Sequence, residues 1–489
     1  MSRLKKETIS GVKWGMLQKF TLQPLQLFYG MVLARLITPT EMGIVGLTAI
    51  FFAVANQLAS AGFGVALIRK QDRTDEDVNT MFWFNLVMSL VMGLLLFLLA
   101  PWFASFYNQP ELLLLTQVSA VMMFLNSCAS VHWTLYQCRR DFKTPAIVNT
   151  ITAIAGMPVC LVLAWMGWGV WALMWQNVVS SVLNLVIVWY ISPWKPRFLF
   201  SGQSFISLFS FGAKLAYGGI LHILYREIRT FIIGKFYSPA QLGLYTRGVH
   251  VTNMLPSTIS SVLGGVLYPV LATVQDDNER LIPAYRMYIR ISTLVIAWIC
   301  MWLLAMGKPV VELLYGSDWL GCAVFLRVIA LGVAVDHISS INLSLLMVKG
   351  KANLMLGLEI VKKIISLSLL LFAATISVEA ICWAAVLYTH IAIIFNTYFV
   401  GRITGLTWWK QQKDYMPYVI YAAISCAPAW LCTLTDWHFV LQLVVGGSSA
   451  FLLYFGGLHL LCDSAYKELY SMLRQKSVGR WLPPLRERP

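Results

Sequence analysis

Apolar stretches of about twenty residues or more recur along the whole 489-residue chain, broken by short polar segments. A hydrocarbon core about 30 Å thick takes about 20 helical residues to cross, so each stretch predicts a membrane-spanning helix. Six stretches lie near 11–36, 42–66, 79–105, 112–137, 146–166 and 168–192. Six more lie near 208–236, 241–273, 286–307, 322–348, 353–376 and 379–401, and a last pair near 415–434 and 438–462. The pattern predicts an all-α integral membrane protein of about 14 transmembrane helices. An amphipathic lead-in, SGQSFISLFSFG, precedes the seventh stretch. A short surface helix with Ala465, Leu469, Met472 and Leu473 on one side is expected after the last.

The helices repeat. ARLITPTEMG (34–43) returns as GKFYSPAQLG (234–243), with Arg35 answering Lys235, Pro39 answering Pro239 and Gly43 answering Gly243. FYNQP (106–110) answers LYGSD (314–318), and RRDFK (139–143) answers KGKAN (349–353). Six helices separate the two decapeptides, so both copies run in the same direction. That makes a parallel repeat about an axis along the membrane normal. The expected organisation is an N-lobe of six helices (1–200), a parallel C-lobe of six (201–405), two extra C-terminal helices (406–465) and a cytoplasmic tail (466–489). Each decapeptide reads as a proline- and glycine-punctuated turn at the outer corner of its lobe.

Charge then fixes the expected orientation. With the N-terminus in the cytoplasm, the inner loops hold Arg69, Lys70, Arg73, Arg139, Arg140, Lys143, Lys349 and Lys351, while Lys308 is the clear outer exception. This bias puts both termini on the cytoplasmic side. It also accounts for the net charge of +15: the basic residues lie in short loops, with no aromatic-interleaved basic face, so nucleic acid is not an expected partner. The composition is 58% hydrophobic and only 12% charged, whereas a soluble domain carries about 25% charged residues. Nine cysteines scattered through apolar runs, without a CxxC pair, read as small buried hydrophobes, and no metal signature occurs. Arg3, Lys5 and Lys6 before the first stretch imitate a signal peptide. That stretch is long, contains Lys19 and lacks a small-residue cleavage site, so it reads as a retained helix.

Candidate chemistry lies in the ionisable residues inside the spans, because each is costly in hydrocarbon. The seventh span holds the densest set, HILYREIRTF, in which His222, Arg226 and Arg229 share a face and Glu227 sits about 100° round. Two arginines on one face need an anion between them. Either they line an anion-binding cavity, or acids such as Asp336 or Glu359 neutralise them. Lys19, Arg247 and Arg327 are further intramembrane cations, and Arg35 and Lys235 stand at span ends. Lys214, Arg290 and Lys362 are expected to snorkel to an interface. Glu227 and Asp336 are candidates for carrying a coupling proton or cation, with a plain salt bridge as the alternative. The planar fork of arginine suits phosphate and carboxylate ligands. GFG at 62–64 and the doublets Gly446–Gly447 and Gly456–Gly457 read as helix-packing points.

Four segments carry a family resemblance: ISGVKW (9–14), VLARLITPTEMG (32–43), SAGFGVALIRKQ (60–71) and VLYPVLATVQDDNERL (266–281). Together they resemble the Wzx-type polysaccharide-export flippases of the multidrug/oligosaccharidyl-lipid/polysaccharide superfamily, over about residues 5–400. The resemblance implies two six-helix lobes around a cationic cavity, working by alternating access. It implies an undecaprenyl-pyrophosphate-linked oligosaccharide carried across the bacterial inner membrane. It also implies no cofactor beyond H+ or Na+ coupling, membrane lipids as surroundings, and a polysaccharide polymerase and chain-length machinery as partners. On this reading Arg226, Arg229 and Arg247 hold the pyrophosphate or acidic sugars, and Arg35, Lys19 and Arg327 line the path behind them. The protein is then not an enzyme. Where relatives are expected to carry a short Asn/Asp pattern in the seventh span, this chain has Tyr225, Arg226, Glu227 and Arg229. A multidrug or cation antiporter of the same superfamily would line its cavity with acids, and a membrane oligosaccharide polymerase would need a large or acidic outer loop.

Overall fold

The bilayer core offers no water to bond a backbone amide, and a helix satisfies its own. The computed structural model describes residues 2–275 and 277–474; within them, the side chains of 2–13, 16, 19, 20, 261–270, 272, 352 and 472–474 lie outside the description. The described residues form helices and short connections, with no strand among them. The chain folds as two compact units, Met1–Gly243 and Leu244–Pro489.

The first unit contains α1 (Ser2–Leu33), α2 (Pro39–Ser60), α3 (Phe63–Arg69), α4 (Asp75–Tyr107) and α5 (Glu111–Cys138). It continues with α6 (Lys143–Trp165), α7 (Val170–Ile191), α8 (Gly202–Phe236) and the first residues of α9 (Pro239–Thr273). The second unit holds the rest of α9, then α10 (Asn278–Tyr315), α11 (Cys322–Val348), α12 (Ala352–Ala373), α13 (Val378–Thr404) and α14 (Trp408–Cys432). α15 (Phe439–Phe451) runs through a π-turn into α16 (Gly457–Leu460), and α17 (Ser464–Arg474) follows. Among the described residues, eleven helices are long and apolar enough to cross a membrane. α12 is not one of them, because Glu359, Lys362 and Lys363 fall near its centre.

Two expected elements differ in detail. The second stretch breaks at Ala61 and Gly62, whose φ values of 41° and 71° are left-handed, so it forms α2 and the short α3. The break brings Gly62 against Gly212: a Cβ on Gly62 would stand 2.4 Å from the Gly212 carbonyl oxygen. The amphipathic lead-in is no separate helix but the start of the 35-residue α8. α8 packs on α2, α3 and α4 and therefore belongs to the first unit, whereas the sequence repeat divides one helix earlier. The short surface helix is α17; two of its expected apolar residues, Met472 and Leu473, have side chains outside the described residues.

The decapeptides form helix-starting turns. Thr38 caps α2 in a reciprocal box with Glu41, and Pro39 takes the first turn, where its missing N–H costs nothing. Ser238 accepts from the Gln241 amide in the same way at α9. The two turns clasp each other. A Cβ on Gly43 would lie 1.9 Å from the Pro239 oxygen, and one on Gly243 would lie 1.9 Å from the Pro39 oxygen. Lys235, at the end of α8, donates from Nζ to the Phe106 carbonyl at 2.6 Å and sits over the Phe106 ring.

In the second unit a buried carboxylate joins α10 to α14. Asp414, fully buried, accepts two hydrogen bonds each from Arg286 (2.7 and 2.9 Å) and Arg290 (2.8 and 2.5 Å). Arg290 is thus an ion-pair partner, not a snorkelling side chain. Lys362 does not snorkel either; it is 2% exposed and paired with Glu359 one turn earlier on α12. Of the glycine doublets, Gly446 and Gly457 are close packing points, Gly447 lies in ordinary contact with Trp302, and Gly456 has open space beside it. Gly446 meets Met306 and Ala429, and Gly457 lies under the Tyr421 hydroxyl.

Two predictions follow from this packing. Gly43→Ala and Gly243→Ala each lower the thermal midpoint of the purified protein, since overpacking costs about 1–3 kcal/mol. Gly46→Ala, whose Cβ would meet only Leu242 at 4.0 Å, leaves it unchanged. Asp414→Asn destabilises by about 3 kcal/mol, because two guanidinium groups lose one carboxylate. Arg286→Met costs less, because Arg290 still covers Asp414.

Candidate substrate-binding site

The first unit holds a cavity of about 700 Å³ bounded by α2, α5, α6 and α7. Small residues let these helices approach. Gly156 on α6 faces Ser180 and the Gln176 backbone of α7, where a Cβ would stand 2.4 Å from Ser180 Oγ. Ser180 Oγ donates to the Thr152 carbonyl at 3.2 Å and ties the two helices beside the cavity. Tyr29 of α1 hydrogen-bonds Gln176 behind them.

The lining is polar but uncharged. α5 contributes Ser119, Asn126, Ser130 and Trp133, α7 contributes Asn177, Ser181 and Asn184, and α2 contributes Thr48. Phe52, Met122 and Met174 supply apolar wall. None of the described residues lining the cavity is ionisable. Some hydroxyls are already satisfied within their own helices: Thr48 bonds the Val45 carbonyl and Ser130 that of Ser127, each at 2.8 Å. Trp133 Nε1 donates to Asn184 Oδ1 at 3.2 Å and crosses from α5 to α7. Asn85 of α4 reaches Ser130 from behind at 3.4 Å.

The ionisable residues singled out in the sequence lie elsewhere. Arg226, Glu227 and Arg229 are on α8, about 15 Å of helix from its Phe236 end for Arg226. Arg226 is exposed and pairs with its neighbour Glu227 at 2.7 Å. Arg229 is half-buried and His222 exposed. Arg35 is exposed at the end of α1. Lys19 lies on α1 with its side chain outside the described residues. In the second unit, Arg247 on α9 packs over the Tyr315 ring. Arg327 on α11 lies against Gly307, with a buried Nε that has no hydrogen-bond partner. Asp336, also on α11, is exposed. The structure thus pairs Arg226 with Glu227, and Arg35, Arg226, Glu227 and Arg229 are not among the described residues that line the first-unit cavity.

The cavity residues are less conspicuous in the sequence than charges, because amides and hydroxyls stand out less in an apolar run. Their signal was periodicity. Asn126, Ser130 and Trp133 fall at i, i+4 and i+7, and Asn177, Ser181 and Asn184 repeat that spacing, which sets each trio on one helix face.

The fold of the described residues, a helical membrane bundle, is shared with solved structures. The lipid II flippase MurJ, in an inward closed conformation, superposes with a TM-score of 0.67, covering 93% of this chain and 100% of that one at 12% identity. A multidrug resistance MATE family transporter of the MOP superfamily, inward-facing, gives a TM-score of 0.61 over 78% of this chain and 94% of that one at 15% identity. The family described as polysaccharide biosynthesis protein matches residues 32–324, more than half the chain, and the chain belongs to it. The succinoglycan biosynthesis transport protein ExoT of Rhizobium meliloti (strain 1021) is 24% identical over 96% of each chain.

A hydrated cavity makes a testable demand. A cysteine at Asn177, with the exposed Cys462 replaced by serine, is labelled by a small maleimide that reacts with the hydrated thiolate. Buried Cys160 and Cys300 stay unlabelled in the same sample, as read by mass spectrometry. Equal, negligible labelling at all three positions contradicts a water-accessible cavity.

Proposed function

We propose that the protein is a flippase. It carries an undecaprenyl-pyrophosphate-linked oligosaccharide from the cytoplasmic to the periplasmic leaflet of the bacterial inner membrane by alternating access. The product feeds a surface polysaccharide, such as O-antigen, capsule or exopolysaccharide, with a polymerase and chain-length machinery acting downstream. Both termini lie in the cytoplasm on this reading, which the bias of the loop charges supports.

One observation carries the proposal. A chain of the polysaccharide biosynthesis family is built almost wholly of helices, and among the described residues its longest connection between helices is Ser192–Ser201. That leaves no room for the large outer loop a polymerase or glycosyltransferase would use. This supports transport, rather than polymerisation, as its step in polysaccharide assembly. A multidrug or cation antiporter would need acids around its site, and the first-unit cavity has none in its lining.

Arg226 and Arg229 in the first unit, and Arg247 in the second, are proposed to contact the pyrophosphate or acidic sugars as the cargo passes. Arg35, Lys19 and Arg327 are proposed as weaker contacts, and Glu227 and Asp336 as carriers of a coupling proton or cation.

The double substitution Arg226→Ala, Arg229→Ala tests the reading in cells lacking the native gene. Losing two charge-assisted contacts costs roughly tenfold or more in transport. Surface polysaccharide falls accordingly, and lipid-linked precursor accumulates. Normal export, with the variant inserted at normal level, contradicts a role for these arginines in holding cargo.

A further inference from the structure

We propose that the first-unit cavity is a second, charge-free subsite that reads the sugar hydroxyls of the cargo, separately from any contact with its pyrophosphate. The inference rests on the flippase reading above and names what this particular cavity takes.

The geometry is a ladder. Asn126, Ser130 and Trp133 on α5 and Asn177, Ser181 and Asn184 on α7 are offset by the same 51 positions, and all six line the cavity. α5 and α7 pack together, and the single intervening helix α6 makes them run in the same direction. The hydrogen bond from Trp133 to Asn184 fixes the register at one rung. Equal rise along both helices then puts Ser130 level with Ser181, and Asn126 level with Asn177. The rungs are spaced by about 5–6 Å, and the ladder runs about 10 Å along the helices.

Chemistry selects the ligand. Asn126, Asn177 and Ser181 make no side-chain hydrogen bond to the described protein, whereas Ser130, Ser180 and Thr48 are satisfied by backbone carbonyls. Polar groups left unpaired at membrane depth are costly, so these three are kept for something that enters. An amide offers donors and an acceptor side by side, which suits a molecule whose hydroxyls do both. A pyrophosphate would find no cation among the described lining residues, and an organic cation would find no carboxylate. A neutral polyol has no charge to leave unpaired. Trp133, held by Asn184, adds an apolar face against which the C–H face of a pyranose can stack. The 700 Å³ volume lies within the roughly 300–1,000 Å³ usual for ligand sites, ample for sugar units but not for a polyprenyl tail as well.

The test uses the full-length protein in nanodiscs and two probes. One is undecaprenyl pyrophosphate; the other is the same lipid carrying the oligosaccharide extracted from the host strain. The wild type is expected to bind the glycosylated lipid at least tenfold more tightly. Asn126→Leu with Asn177→Leu removes that preference and leaves affinity for the bare lipid unchanged. The milder Ser181→Ala weakens the preference in a protein whose thermal midpoint is unaltered, which guards against misfolding of the double variant. Arg226→Ala with Arg229→Ala weakens both probes by the same factor and keeps the preference. A preference that survives in both cavity variants overturns the subsite while leaving the flippase reading intact. A wild type that binds neither probe overturns the flippase reading and the subsite with it.

Discussion

Hydrocarbon provides no hydrogen bonds, and nearly every feature of this protein answers that constraint. Backbone groups are satisfied within helices. Large apolar side chains such as Leu90, Leu94 and Leu98 on α4 are left facing outward, where lipid replaces water. Polar side chains have only three places to go. Some bond their own helix, as Thr48 and Ser130 do. Some pair in the interior, as Asp414 does with Arg286 and Arg290. The remainder face a cavity, and the cavity of the first unit is where uncharged polar groups collect.

The constraint also explains why the repeated decapeptide has its particular residues. Helix starts need caps, and Thr38 with Glu41 supplies one at α2 while Ser238 serves α9. Glycine at the fifth helical position of each, Gly43 and Gly243, lets the opposite proline carbonyl come within a distance that no Cβ tolerates. Without a hydrophobic drive between helices in lipid, such close approach is the main source of packing energy. Gly62 with Gly212, and Gly446 with Met306, apply the same device elsewhere. The protein's specificity of packing therefore resides in its glycines more than in its large side chains.

Much of the fold was legible because apolar runs and their polar breaks map directly onto helices: the expected stretch near 322–348 is α11, Cys322–Val348, and that near 241–273 is α9. The break at Ala61–Gly62 was not, since the run stays apolar through it and only the left-handed backbone reveals the turn. The decapeptide was legible as a turn, but its clasp with the second copy is tertiary and leaves no mark in either copy alone. Ionic partners were read poorly. Lys362 and Arg290 were expected to reach for water, and instead found Glu359 and Asp414, because an acid within reach of a cation is cheaper than snorkelling past apolar neighbours. The cavity was missed for a related reason. Arginine in a span announces itself by its cost, whereas Asn126, Asn177 and Asn184 announce themselves only by spacing.

The central claim is that this chain moves a lipid-linked glycan across a bilayer, and reconstitution tests it most directly. Liposomes containing the host's undecaprenyl-pyrophosphate-linked oligosaccharide, with the glycan initially protected on the inner leaflet, are assayed for glycan exposed to an external glycan-oxidising reagent. The account predicts that exposure rises with time only when the purified protein is present, and that ethidium loaded into the same vesicles does not move. Protein-dependent release of ethidium with a static glycan pool would contradict it.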